Sequence, residues 1–232
     1  MAYTKVPLLS YTWPDAASYP PSIADFQNLS PVFPPTRGAQ TAPGNVRIEY
    51  LAAPLKRDWF LGINTFPGVE VYSSIQFNGS NNDNHTFYLG LYMTPGSGSI
   101  FNNGYVLSMS NIPGVSNQFV NNFRRNNVID GPSTVGIGPS LVNGDIVEMN
   151  AKTTAPGQLT ISVLRNGVVV YTFVDNAPLV SPKGFSFGLE ADVIGANLDI
   201  GAVEFGNLVP VSLIRNIPLE GRYIPLPYVK RG

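Results

Sequence analysis

The chain has 232 residues, 44 % of them hydrophobic, a formal net charge of −1 and no cysteine. A chain of this size and composition buries a sizeable core, which excludes wholesale disorder. The missing cysteines exclude a disulfide framework and thiolate metal sites. Only 12 % of the residues are charged, and no basic block faces a phosphate backbone, so nucleic acid is not expected as a partner. No run reaches the roughly 20 apolar residues of a membrane-spanning helix, and Met1-Ala-Tyr-Thr-Lys-Val-Pro7 is no basic-then-apolar signal peptide. The expectation is a protein made in a cytoplasm, with no membrane partner.

Residues 1–44 read as an extended N-terminal arm. Eight prolines, Pro7, Pro14, Pro20, Pro21, Pro31, Pro34, Pro35 and Pro43, punctuate it, and each removes a backbone donor and fixes φ. Between them stand Tyr11, Trp13, Phe26 and Phe33, side chains whose exposure to water is unfavourable and which a disordered tail avoids. They want a surface, either that of a neighbouring subunit or that of the chain's own body. Ser22 to Asn28 reads as one helical turn with Ser22 as its N-cap.

From Asn45 the pattern has period two. Val46, Ile48 and Tyr50 alternate with Arg47 and Glu49, and similar runs follow at Val69–Phe77, Thr86–Met93, Tyr105–Met109, Gln118–Phe123 and Ile146–Asn150. Turn clusters such as Asn78-Gly-Ser-Asn-Asn-Asp-Asn separate them, the spacing of an all-β sandwich or barrel. Gln158 to Val174 carries the sharpest local signal. Two alternating arms flank Asn166-Gly167, a pair that tolerates the positive φ angles of a type I′ hairpin turn. Strands at Phe185–Leu189 and Leu198–Phe205 close the body at residue 206. Residues 207–232 return to the proline-punctuated style, with Ile217, Tyr223 and Tyr228 as its contact residues.

Gly144-Asp-Ile-Val-Glu-Met, then Leu159-Thr-Ile-Ser-Val-Leu-Arg-Asn-Gly-Val-Val-Val, then Gly184-Phe-Ser-Phe-Gly-Leu resemble the strands of concanavalin A-like, or laminin G-like, jelly rolls. The resemblance covers residues 45–206 and implies an antiparallel two-sheet sandwich. Lectins, glycosidases, adhesins and virion proteins share that fold, so it fixes no function. Within the superfamily the low charge and the apolar arms look most like modules of tailed-phage virion proteins. That resemblance implies a non-enzymatic capsid-decoration or tail-associated subunit, located in the virion. It would attach to other virion proteins and to copies of itself. The alternative is a glycan-binding adhesin with a cell-surface glycan as partner.

Catalytic readings meet gaps. Retaining glycosidases of this superfamily use a Glu-x-Asp-x-x-Glu strand, whose two carboxylates act as nucleophile and acid/base. Glu190-Ala-Asp-Val-Ile-Gly195 lacks the second glutamate, and Glu190 and Asp192 then read as exposed strand ends. His85 is the sole histidine, which leaves no triad and no two-histidine zinc site. Asn81 to Asn84 supplies oxygens for calcium but only one carboxylate, so an ordinary turn is favoured and no metal or cofactor is expected. For sugar binding, Trp59, Phe60, Tyr88, Tyr92 and Phe101 are candidates by type. Either Phe87, Leu89 and Leu91 or Tyr88, Gly90 and Tyr92 must face inward, and alternation alone does not choose.

Overall fold

Short alternating segments bury one face each, and two such faces suffice to enclose a core. The structure, a computed structural model, describes residues 2–12, 25–29, 40–42, 45–49, 56–63, 70–78, 85–95, 104–111, 122–126, 128–129, 141–179, 184–191, 197–211, 214–219 and 222–227. One sheet has eight strands: β1 (Tyr3–Tyr11), β3 (Gln40–Ala42), β4 (Asn45–Glu49), β6 (Val71–Phe77), β11 (Ile146–Ala155), β12 (Gln158–Arg165), β13 (Val168–Asp175) and β15 (Asn197–Pro210). The other has seven: β2 (Phe26–Asn28), β5 (Lys56–Gly62), β7 (His85–Met93), β8 (Tyr105–Asn111), β9 (Asn122–Arg125), β10 (Val128–Ile129) and β14 (Gly184–Ala191). β16 (Ile214–Leu219) and β17 (Arg222–Pro227) pair with each other in a separate two-stranded ladder. Every pairing is antiparallel, as expected of a jelly-roll sandwich.

In the larger sheet the order runs β13-β12-β11-β6-β15-β4-β3, and β1 lies beside β4 along the same flank of β15. The smaller sheet runs β10-β9-β8-β7-β14-β5-β2. Their facing sides make one core. Phe87, Leu89 and Leu91 from β7, Leu107 and Met109 from β8, and Phe185, Phe187 and Leu189 from β14 meet Ile75, Met149, Ile161, Val163, Val203 and Phe205. Alternation therefore resolves in favour of the Phe87 set.

Tyr92 breaks that alternation. The pairing of β14 with β7 shifts between Gly184 and Phe185, and at this irregularity Tyr92 takes φ 59°. The left-handed excursion swings its ring back into the core, where it meets Tyr105 edge-on at 5.8 Å. Burial, reinforced by the Glu70 charge, pushes its phenol up to about 12.

The hairpin of β12 and β13 forms as the sequence predicts, with Asn166 at φ 51° and Gly167 at φ 80°. Its tip is tied down. Asn166 Nδ2 donates to Asp145 Oδ1 at 2.6 Å, Ile146 N donates to Asn166 Oδ1 at 2.9 Å, and Arg165 pairs with the other Asp145 oxygen. At the opposite end Asp175 clamps the two sheets. Its Oδ2 accepts from Tyr105 Oη on β8 and from Arg125 Nε on β9, each at 2.6 Å, and its Oδ1 caps Ala177 N at 2.9 Å.

Both aspartates ionise below the ordinary carboxylate range. Burial pushes each one up, but it is outweighed for Asp145 by Val142 N, Asn166 and Arg165, and for Asp175 by Tyr105, Arg125 and Ala177 N. A depressed folded-state value makes the contribution complete above the unfolded value, near 3.9 for Asp, and removes it as pH falls through the folded one. Melting temperature followed from pH 7 to pH 2 is expected to drop below about pH 4. An Asp145→Asn, Asp175→Asn double variant should be less stable at pH 7 and show a shallower acid loss. Equal acid slopes would assign the transition to other carboxylates.

Several expectations for the terminal segments change. Residues 3–11, 26–28 and 40–42, placed in an arm, are strands of the sandwich's own sheets. Phe26, expected as a contact to neighbours, is 2 % exposed and packs on Phe187 and Phe205 at 5.5 and 5.6 Å. The reason is pairing: β2 lies along β5, with Ile63 N and Leu29 N bonded to Asp25 O and Trp59 O, which aims Phe26 inward. That same pairing makes Phe26–Asn28 strand rather than a helical turn. Tyr11 packs edge-on against Phe26 at 5.8 Å, and its hydroxyl donates to Asp25. Ile217 and Tyr223 lie on β16 and β17, opposite Ile224 and Pro218. Trp13, Phe33 and Tyr228 lie outside the described residues.

Candidate functional site

A sheet of a two-layer sandwich turns its second face away from the core, and residues there are free to carry function. On the seven-stranded sheet the inward positions Phe185, Phe187 and Leu189 fix the outward ones as Ser186, Gly188 and Glu190. By the same alternation β7 turns Thr86, Tyr88 and Gly90 outward, β8 turns Val106 and Ser108, β9 turns Arg124, and β5 turns Trp59 and Leu61. Register then lines up one row across four strands, Trp59–Gly188–Tyr88–Ser108. Glu190 and Thr86 form the next row.

Gly188 has no side chain to hold its flanking aromatics apart. The Trp59 and Tyr88 rings meet edge-on, with centroids 6.2 Å apart. Tyr88 Oη donates to Glu190 Oε2 at 3.0 Å, a bond that fixes the carboxylate beside the ring pair. Leu61, Met93 and Val106 pack with Tyr88 on this same face as a second buried cluster, and Leu29 and Trp59 lean against them. Glu190 and Tyr88 are each 8 % exposed, and Trp59 is the more open member.

Of the five aromatics singled out for sugar binding, this face gathers Trp59 and Tyr88. Phe60 and Tyr92 belong to the core, and Phe101 lies outside the described residues. Glu190 corrects its expectation: it is a buried, hydrogen-bonded carboxylate, not an exposed strand end, because β14 runs between two paired strands and Tyr88 Oη bonds to it. Its orientation was legible in Phe-Ser-Phe-Gly-Leu-Glu, whereas its tyrosine partner, 102 residues away, was not. His85 opens β7 rather than sitting in the preceding turn. Asp192 and the Asn81–Asn84 turn lie outside the described residues. Among the described residues, no three His, Cys, Asp or Glu side chains gather as metal ligands, and no helix is long and apolar enough to cross a membrane.

Chemically, the face gathers an aromatic pair, a fixed carboxylate and the hydroxyls of Thr86, Ser108 and Tyr88, of which Trp59 is half-buried and the others are buried. Glycoside hydrolysis by paired carboxylates needs a second acid across the bond, and Gly195 occupies that position of the strand motif.

No family model matches the chain, and no curated protein matches it either. Solved structures do. A legume lectin-like domain from Entamoeba histolytica superposes with TM-score 0.53 at 11 % identity, over 87 % of this chain and 98 % of that one. A structure from work on endo-acting O-glycanases that initiate mucin breakdown, expressed by members of the human gut microbiota, gives 0.58 at 8 % identity, over 87 % and 99 %. A prokaryotic β-1,3-1,4-glucanase from a mouse hindgut metagenome gives 0.51 at 12 % identity, over 86 % and 98 %. At such identities the likeness is one of fold, the lectin-like jelly roll, and that fold carries binding and hydrolysis alike.

Proposed function

We propose that this chain is a non-catalytic glycan-binding module whose saccharide site is the outward face of the seven-stranded sheet around Trp59, Tyr88 and Glu190. The observation that carries the reading is the pairing of an aromatic surface with a carboxylate held in place by Tyr88 Oη at 3.0 Å. Pyranose rings present C–H faces that pack on aromatics and equatorial hydroxyls that donate to carboxylates. A site built from both recognises the ring and orients it, and Glu190, with no second carboxylate on this face among the described residues, serves binding without hydrolysis. The lectin-like neighbours are in keeping with this reading. The virion setting expected from the sequence draws no support from the neighbours described above, and two of its contact residues, Tyr11 and Phe26, pack within their own sandwich.

The test is a glycan array followed by titration calorimetry with the best oligosaccharide. Trp59→Ala is expected to weaken binding at least tenfold (about 1.4 kcal/mol). Tyr88→Phe, which keeps the ring and removes its hydrogen bond to Glu190, should weaken it several-fold while circular dichroism stays unchanged. A wild-type protein that binds no glycan on the array, or a folded Trp59→Ala variant that binds as well as wild type, would remove the reading.

A further inference from the structure

A two-stranded ribbon standing by itself in water is marginally stable, because a single ladder with two thin faces buries little surface. β16 and β17 form such a ribbon. They pair only with each other and, among the described residues, extend neither sheet of the sandwich. Their register sorts the residues into two sets: Ile214–Pro227, Asn216–Pro225 and Pro218–Tyr223 alternate with Arg215–Leu226, Ile217–Ile224 and Leu219–Arg222. Each pair of the first set contains a proline, which has no N–H to give. Those pairs are therefore the ones whose backbone groups point away from the ladder. Pro218 stands on the outer edge of β16, and Pro225 and Pro227 on that of β17. Both edges are blunted, so strand addition is disfavoured on either side.

Successive residues of a strand lie on opposite faces, so the second set shares one face of the ribbon. On it Leu226, Ile217, Ile224 and Leu219 are flanked by Arg215 and Arg222 at two diagonally opposite corners. Residues 212–232 hold four basic residues against Glu220, a net charge of +3. The rest of the chain, with ten basic and fourteen acidic residues, carries −4. The ribbon thus lies in a cationic end of an otherwise anionic chain. A second ribbon is a poor cover for its aliphatic face. Stacking about either twofold in the plane of contact sets each arginine on the partner's leucine, where it loses water and meets no carboxylate.

We propose that this face of the β16–β17 ribbon docks on an anionic lipid surface, lying in the headgroup layer with its aliphatic residues toward the acyl chains. Three features select that occupant. The four aliphatic residues gain burial there, and the corner arginines stay among anionic headgroups. The prolines remove edge donors that a medium poor in water would leave unsatisfied. The body, at −4, is repelled by the same surface, which makes the ribbon the point of contact. A ribbon lying in the interface needs neither a long apolar run nor a leader, the two features whose absence underlies the expectation of no membrane partner. The contact is independent of any glycan on the Trp59 face.

Co-sedimentation of the full chain with vesicles is the test, equimolar phosphatidylserine and phosphatidylcholine against phosphatidylcholine alone. The wild type is expected to partition about tenfold more strongly onto the anionic vesicles, an advantage that shrinks as salt screens it. Arg215→Gln with Arg222→Gln should lose most of that advantage. Ile217→Ser with Ile224→Ser should weaken binding several-fold while the melting temperature of the sandwich stays unchanged. In the wild type, hydrogen exchange of the Ile217 and Ile224 amides, which belong to the ladder, should slow several-fold on anionic vesicles. A wild type that stays in the supernatant overturns the proposal. So does vesicle binding that leaves these two amides unchanged, because another part of the chain then holds the lipid. Salt-sensitive self-association without vesicles, abolished by the same substitutions, overturns it too, because a second copy then covers the face. The exchange readout needs no variant, so it decides the matter even where a substituted ribbon fails to pair.

Discussion

Phe205→Ala is expected to destabilise the protein by about 3–5 kcal/mol, the cost of removing a fully enclosed aromatic ring. Phe205 is 0 % exposed, and its ring contacts three others: Phe185 at 5.1 Å, Phe26 at 5.6 Å and Phe187 at 6.0 Å. These rings come from two strands of the opposite sheet, β14 and the edge strand β2, so the void cannot close by a small shift of one neighbour. Phe205→Leu fills much of the space and should cost less than half as much. Urea denaturation followed by fluorescence measures both. A loss below about 1 kcal/mol for the alanine variant would show that the sheets collapse onto the gap.

Asp175→Asn is expected to cost about 2–4 kcal/mol, although it removes no volume. The carboxylate accepts from a phenol, a guanidinium and a backbone amide. An amide in its place offers one oxygen for these donors and sets its own N–H₂ against one of them. Arg125 can still reach solvent, being 27 % exposed at its side chain, but Tyr105 is wholly enclosed and cannot. The strand termini clamped here belong to opposite sheets, so the defect loosens their attachment as well as leaving a donor unpaired. A double-mutant cycle with Tyr105→Phe should return a coupling of about 1–2 kcal/mol. Additive losses would mean that the two groups act independently.

Local chemistry made much of this fold readable. Asn166-Gly167 allows the backbone angles of its turn whatever surrounds it, and the apolar rhythm of Phe185, Phe187 and Leu189 sets the inward face of β14 without reference to other strands. What escaped the sequence depends on partners far along the chain. Phe26 is a core residue because β2 pairs with β5, and Glu190 is held because Tyr88 arrives from another strand. Tyr92 escaped for another reason. A bulge resets alternation by one residue, and neither Leu91 nor Met93 signals where the extra residue falls. The prolines misled in a physical way: Pro7 has no N–H, yet it fits β1 because, among the described residues, that strand borders β15 on one flank only. Of the site, Trp59 and Tyr88 were readable as aromatic candidates by type, but their meeting across Gly188 was not.

The seam at β15 has a consequence for biosynthesis. Residues 203–210 of β15 are the ladder partners of Tyr3 to Tyr11, so β1 waits for a partner that leaves the ribosome long after it. At about 5–20 residues per second the ribosome leaves β1 without its partner for on the order of 10–40 s. Over that interval the nascent chain can assemble local hairpins such as β12–β13, but it cannot close the eight-stranded sheet. Lys5 and Pro7 thereby take on a second meaning. They keep an orphaned strand soluble and poorly suited to pairing with its copy on the next ribosome, until β15 emerges and Lys5 finds Glu148 across the sheet.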